Sequence, residues 1–170
     1  MTANEIINGW CDNALVERSV NKVFPNTYIG HFEADIIELT KSGYAVEYEV
    51  KITRADFRND AKKQKVYRTQ PAKSKYEILQ EGDRVNRFYY IVPKGLITES
   101  DIPDFAGLIY AHKANVRFFS DEKGYYEKEK VFFSTIKAAP LLTKNKLSEQ
   151  RINKCLESTY YRFHKYRRQQ

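Results

Sequence analysis

The chain has 170 residues, with 29 Lys and Arg against 22 Asp and Glu and a net charge of +7. That length suits one domain with a substantial core, residues 1–170, and the basic balance suits a polyanion partner, most simply nucleic acid. It has no apolar run long enough to span a bilayer, and Met1-Thr2-Ala3-Asn4-Glu5 lacks the basic start of a secretory signal, so the expectation is a cytoplasmic protein with no membrane partner.

Ile6, Ile7, Trp10, Ala14, Leu15 and Val16 recur near helical spacing and predict a helix from Asn4 to about Lys22, ended by Pro25-Asn26. Extended structure follows, weakly from Thr27 to Phe32 and more clearly from Glu33 to Thr40. Lys41-Ser42-Gly43 reads as a turn into a returning strand, Tyr44 to Lys51. Thr53 is a candidate N-cap, with Asp56 three residues on, for a helix running to about Arg68. Residues 69–86 read as a loop with one helical turn at most. Arg87 to Val92 reads as a buried strand stopped by Pro93, and Ala106 to Ala111 as another. Val116 to Ser120 and Tyr125 to Phe133 read as a terminal strand pair. Ser148 to about Arg167 reads as a final helix with Ile152, Leu156 and Phe163 on one side. The order predicts an α/β sandwich around a mixed sheet.

Two segments concentrate the positive charge. Residues 51–75 hold nine Lys or Arg against Asp56 and Asp60, and residues 146–170 hold seven against Glu149 and Glu157. Such blocks suit nucleic acid, and they also suit solvated helix faces. In Tyr160-Tyr161-Arg162-Phe163-His164-Lys165-Tyr166 aromatic and basic residues interleave. That pattern suits base stacking, but packing of a terminal helix on the core is the preferred expectation. Cys11 and Cys155 lie far apart, and His31, His112 and His164 are scattered, which argues against a disulfide framework and a zinc site.

The chemistry centres on Asp35, Glu49 and Lys51. Side chains alternate along a strand, so Glu49 and Lys51 share a face while Val50 points away. The hairpin through Lys41-Ser42-Gly43 would bring Asp35 to that face. An Asp inside the apolar run Ala34 to Leu39 is costly to bury without a partner. Two carboxylates and an ammonium suit phosphodiester hydrolysis. In that expectation Asp35, Glu49 and the backbone carbonyl of Val50 hold Mg²⁺ (or Mn²⁺), and Lys51 orients or deprotonates the attacking water. On spacing alone, the alternation of Glu47, Glu49 and Lys51 suits a solvated strand face better. Glu33, Glu38 and Glu47 are competing carboxylates, and strand parity puts Glu38 opposite Asp35. Arg54 and Arg58, four apart, are candidates to contact a phosphate backbone together.

Asp35…Glu49-x-Lys51 after an N-terminal helix resembles the PD-(D/E)XK nuclease superfamily, with Ala34 where the short first motif carries Pro. Glu49-Val50-Lys51-Ile52-Thr53-Arg54-Ala55-Asp56-Phe57 is more specific. It resembles the MmcB-like DNA-repair branch and related phage-borne proteins, where Glu-x-Lys precedes a Ser/Thr-Arg-x-Asp-Phe stretch and a Lys-rich helix. A second block, Asn86 to Pro93 with Gly95-Leu96-Ile97, Ile102-Pro103 and Ala106 to Ile109, fits the same branch. The resemblance implies a restriction-endonuclease-like α/β sandwich, a divalent metal and DNA as partner. It implies a metal-dependent deoxyribonuclease of DNA repair, recombination or phage DNA processing, and many related enzymes act as homodimers. Several members place a further Glu on the first helix, for which Glu17 and Glu5 are candidates, a solvated helix charge being the alternative. Lys63 and Tyr67, on the helix after the Glu-x-Lys strand, are candidates for phosphate or DNA contact. The alternative function is a catalytically inactive nucleic-acid-binding module with the same fold.

Overall fold

In the computed structural model, which describes residues 1–18, 22–29, 32–60, 64–65, 73–122 and 124–168, Thr2 starts α1 (Ala3–Asp12) by a reciprocal cap with Glu5. The side chains of Glu17, Gln64 and Lys65, and all of Lys63 and Tyr67, lie outside the described residues. The expected helix to Lys22 is shorter than its periodicity suggests. After Asp12 the chain makes one wide π turn, Asn13–Glu17, and by Lys22 it is extended. Pro25 therefore does not end a helix. It sits in β1 (Lys22–Ile29), the edge strand of the sheet, where one side of the ladder is unpaired and a missing N–H is tolerated. Asn26 beside it has φ +47°, a left-handed conformation that Asn accepts more readily than most residues.

Six strands form one sheet in the order β1-β2-β3-β6-β7-β8. β2 (Phe32–Leu39) pairs antiparallel with β1 and with β3 (Ala45–Val50), through the turn in which Gly43 has φ +85°. β6 (Arg87–Pro93) runs parallel to both β3 and β7 (Ala106–Ser120), and β8 (Gly124–Lys137) returns antiparallel to β7. The terminal strand pair is longer than expected. Ala106–Ala111 and Val116–Ser120 are one strand, because the polar run from His112 to Asn115 stays paired with Glu129 to Phe132 of β8. A short antiparallel pair joins β4 (Gln64–Lys65) to β5 (Lys73–Ser74).

α1 covers one face of the sheet, where Ile6, Ile7 and Trp10 pack on Ile36, Tyr48, Val50, Ile91 and Ile109. The other face carries α2 (Arg54–Asp60), α3 (Lys75–Gln80) and α4 (Glu149–Arg167), through Phe57, Leu79, Ile152 and Cys155 against Ile37, Phe88, Tyr90 and Leu108. Each fully buried aliphatic or aromatic side chain here contributes about 1.5–3 kcal/mol. This is a mixed sheet flanked by helices. Two further expectations for the helices do not hold. Gln64 and Lys65 are extended, so α2 does not run on to Arg68. Cys155 is the buried residue of α4, whereas Leu156 and Phe163 are exposed. Among the described residues no helix is long and apolar enough to cross a membrane.

Candidate functional site

The alternation of β3 splits its side chains cleanly. Val46, Tyr48 and Val50 face α1, and Glu47 and Glu49 face α3. Ile36 pairs with Tyr48, which carries Asp35 alongside Glu49 at the end of the sheet. Oδ2 of Asp35 accepts a hydrogen bond from the Val50 N–H at 2.7 Å. Burial, and then the charge of Glu49, push the Asp35 carboxyl up to about 6. Lys51 follows β3 directly and places its Nζ 2.7 Å from Oε1 of Glu49. Asp35, Glu49 and Lys51 thus meet on one face at one end of the sheet.

Their surroundings differ from those of a metal site. Ser74 caps α3 reciprocally with Glu77, and this start aims Lys75, the first residue of the helix, into the sheet. Its Nζ lies 2.6 Å from Oε2 of Glu49 and 2.8 Å from Oε1 of Glu47. Burial pulls the Lys75 ammonium down, and Glu47 and Glu49 more than reverse this, so its pKa is held above the ordinary lysine value. Arg84 clasps Glu47 through Nε and Nη2, and donates also to the carbonyls of Ile29 and Phe32. Lys51 reaches Asp60, the last residue of α2, at 3.1 Å. Oδ2 of Asp60 accepts from the Tyr90 hydroxyl at 2.8 Å, and Tyr90 in turn meets Tyr76 at 2.6 Å. Glu47, Glu49, Lys51, Asp60, Lys75 and Arg84 are all buried. A buried charge persists where partners surround it, and these six come from β3 with the residue after it, α2, α3 and the segment before β6.

Among the described residues, no group of three or more His, Cys, Asp or Glu is arranged to hold a metal ion. The expectation of Mg²⁺ or Mn²⁺ on Asp35, Glu49 and the Val50 carbonyl is therefore corrected. Both Glu49 oxygens are engaged by ammonium groups, and Asp35 is bonded to backbone. Mg²⁺ binding through carboxylates would compete with fixed cations already beside them.

The competing carboxylates also have defined places. Glu38 lies on the opposite face, as parity predicts, and accepts from Trp10 Nε1 at 2.6 Å, from the Tyr48 hydroxyl at 2.9 Å and from Arg18. Glu33 is exposed and pairs with Arg162 of α4. Glu5 serves the α1 cap and pairs with Lys113. Arg54 and Arg58 stand exposed on α2, Arg54 donating from Nε to the Leu96 carbonyl at 2.7 Å. Thr53 accepts from the Asp56 N–H as its N-cap role requires. Sequence reading missed Lys75, Asp60, Arg84 and Tyr90. The one legible signal was Ser74-Lys75-Tyr76-Glu77, a capping box inside a stretch read as loop.

No family model matches the chain, and no curated protein matches it. Among solved structures, the SPO1766 protein of unknown function from Silicibacter pomeroyi is similar, with a TM-score of 0.57 and 17% sequence identity over 100% of this chain and 90% of that one. At that identity the likeness concerns the fold.

Proposed function

We propose that this chain is a DNA-binding domain on a restriction-endonuclease-like sandwich, serving DNA repair, recombination or phage DNA processing without cutting the strand. The observation that carries the reading is a division of the charge. The cations nearest the acidic residues, Lys51, Lys75 and Arg84, are buried and neutralise Glu47, Glu49 and Asp60 inside the fold. Cations of the two basic blocks, Arg54 and Arg58 on α2 and Lys165, Arg167 and Arg168 at the end of α4, face solvent. Exposed Lys and Arg on helices suit phosphate contacts, which position a duplex without reading its sequence. A second reading, hydrolysis of DNA phosphodiester bonds, is favoured by the convergence of Asp35, Glu49 and Lys51 at one sheet end.

Binding and cleavage of labelled duplex, branched and single-stranded DNA, with and without added Mg²⁺, test the two readings. Wild type should bind and leave every strand intact, and Arg54→Ala/Arg58→Ala should bind more weakly whatever the sequence. Unchanged affinity in that double variant overturns the assignment of α2. Cleavage by wild type that disappears in Asp35→Asn, with folding retained by circular dichroism, transfers the conclusion to the second reading.

A further inference from the structure

The last turns of α4 run past the sheet they are anchored to. Cys155 is fully buried, and its Sγ lies against the Tyr28 carbonyl of β1 at 3.9 Å. Beyond Ser158, among the described residues, the Arg162–Glu33 ion pair ties the helix to β2. Tyr160, Tyr161, Phe163 and Tyr166 are 61–71% exposed. This overturns the expectation that the aromatic residues pack the helix on the core. Large rings in water are unfavourable for folding alone. Tyr160 and Tyr161 lie together on one side of the helix, with Phe163 and Tyr166 turned to the other, and exposed rings grouped in this way mark an interaction surface.

Charge and spacing say what would cover it. No Asp or Glu follows Glu157, whereas Arg162, Lys165, Arg167 and Arg168 do. Tyr160, Tyr161, His164, Lys165 and Arg168 line one shallow depression. Their spacing puts them on one side of the helix, with Tyr160 and His164 one turn apart and their rings 4.4 Å centre to centre. Rings for bases and cations for phosphates, side by side and without a carboxylate, complement an unpaired polynucleotide. A duplex keeps its bases stacked inside and offers such rings no face to stack on.

We propose that the C-terminal turns of α4 bind single-stranded DNA, with Tyr160 and Tyr161 stacking on bases and Lys165 and Arg168 on the adjoining phosphates. The choice of DNA rests on the DNA-binding reading above, which it deepens by naming the strand form. The surface is distinct from Arg54 and Arg58 on α2.

Fluorescence anisotropy of the full chain with labelled oligothymidylate, an abasic oligonucleotide of equal length, oligouridylate and a blunt duplex tests it. Wild type should bind oligothymidylate about tenfold or more tighter than the abasic strand. Tyr160→Ala/Tyr161→Ala should lose that margin while keeping its abasic and duplex affinities, and Tyr160→Phe/Tyr161→Phe should retain it, since stacking needs the ring and not the hydroxyl. Equal binding of abasic and base-bearing strands by wild type, or an unchanged margin in the alanine variant, overturns the proposal. So does tighter binding of oligouridylate. Conversion of a wild-type dimer to monomer by the alanine substitutions with DNA affinity intact overturns it too, in favour of a second copy as occupant. Duplex binding that depends on Arg54 and Arg58 without any single-strand margin sinks this proposal alone. Failure to bind any oligonucleotide sinks it together with the DNA-binding reading.

Discussion

Lys75 is a buried ammonium between two buried carboxylates, and its removal should expose how much the fold depends on it. Lys75→Met leaves Glu47 and Glu49 facing each other with one cation fewer, which should cost about 3–5 kcal/mol in urea unfolding. Lys73→Met, which breaks the exposed pair with Glu81, should leave the midpoint unchanged. Asp35 gives the opposite sign. Its carboxyl titrates at about 6 when folded and near the ordinary Asp value when unfolded, so between about pH 4 and pH 6 the native state holds more protons. Stability should therefore fall as pH rises through that window. Asp35→Asn can still accept from the Val50 N–H, and it should abolish the fall and be more stable than wild type at pH 8 by about 2–3 kcal/mol. A steeper fall in the variant would refute the placement of this carboxyl. Asp35, Glu49 and Lys51 were legible together because strand parity and one turn fix their face. Lys75, Asp60 and Arg84 were not, because their approach depends on where α2, α3 and the segment before β6 dock, and no short-range periodicity encodes docking.

Among the elements, strands were easier to read than helix ends. β3 and β6 appear where alternation and apolar runs place them, since burial on a sheet writes a period of two into the sequence. Helix lengths were misread because Ala14 to Val16 continue the spacing of α1 while the backbone widens into a π turn, leaving Leu15 and Val16 exposed. Pairing of Gln64 with Ser74 and of Lys65 with Lys73 likewise overrides the helical look of those two residues. The join between β6 and β7 can be probed through Gly107. A methyl group there would sit 2.4 Å from ring carbons of Tyr89 and 2.7 Å from the Ala139 backbone nitrogen. The ring can turn but the backbone cannot, so Gly107→Ala should destabilise by about 1–3 kcal/mol, read as a lower midpoint in thermal or urea unfolding. An unchanged midpoint would mean that the segment carrying Ala139 lies farther from β7.

For the whole molecule, the division between neutralised interior charge and exposed surface charge predicts two different responses to salt. Interior pairs are shielded from the electrolyte, whereas phosphate contacts displace counterions. Raising salt from low to physiological strength should weaken duplex binding steeply and leave the unfolding midpoint nearly constant. Loss of Arg54 and Arg58 together should flatten the slope of log affinity against log salt by about 2, roughly one for each phosphate contact. A midpoint that tracks the salt slope would mean that the interior ions are wetter than their burial implies. The same run of alternating charge on β3 has a further effect during folding. Were β3 to slip by one residue against β2, Glu47, Glu49 and Lys51 would swing to the α1 side, among Ile7, Trp10 and Ile91, while Tyr48 and Val50 would meet the ammonium of Lys75. Every such misaligned hairpin strands several ions in hydrocarbon, so the charges act as a key that admits one alignment of the central strands and rejects its neighbours.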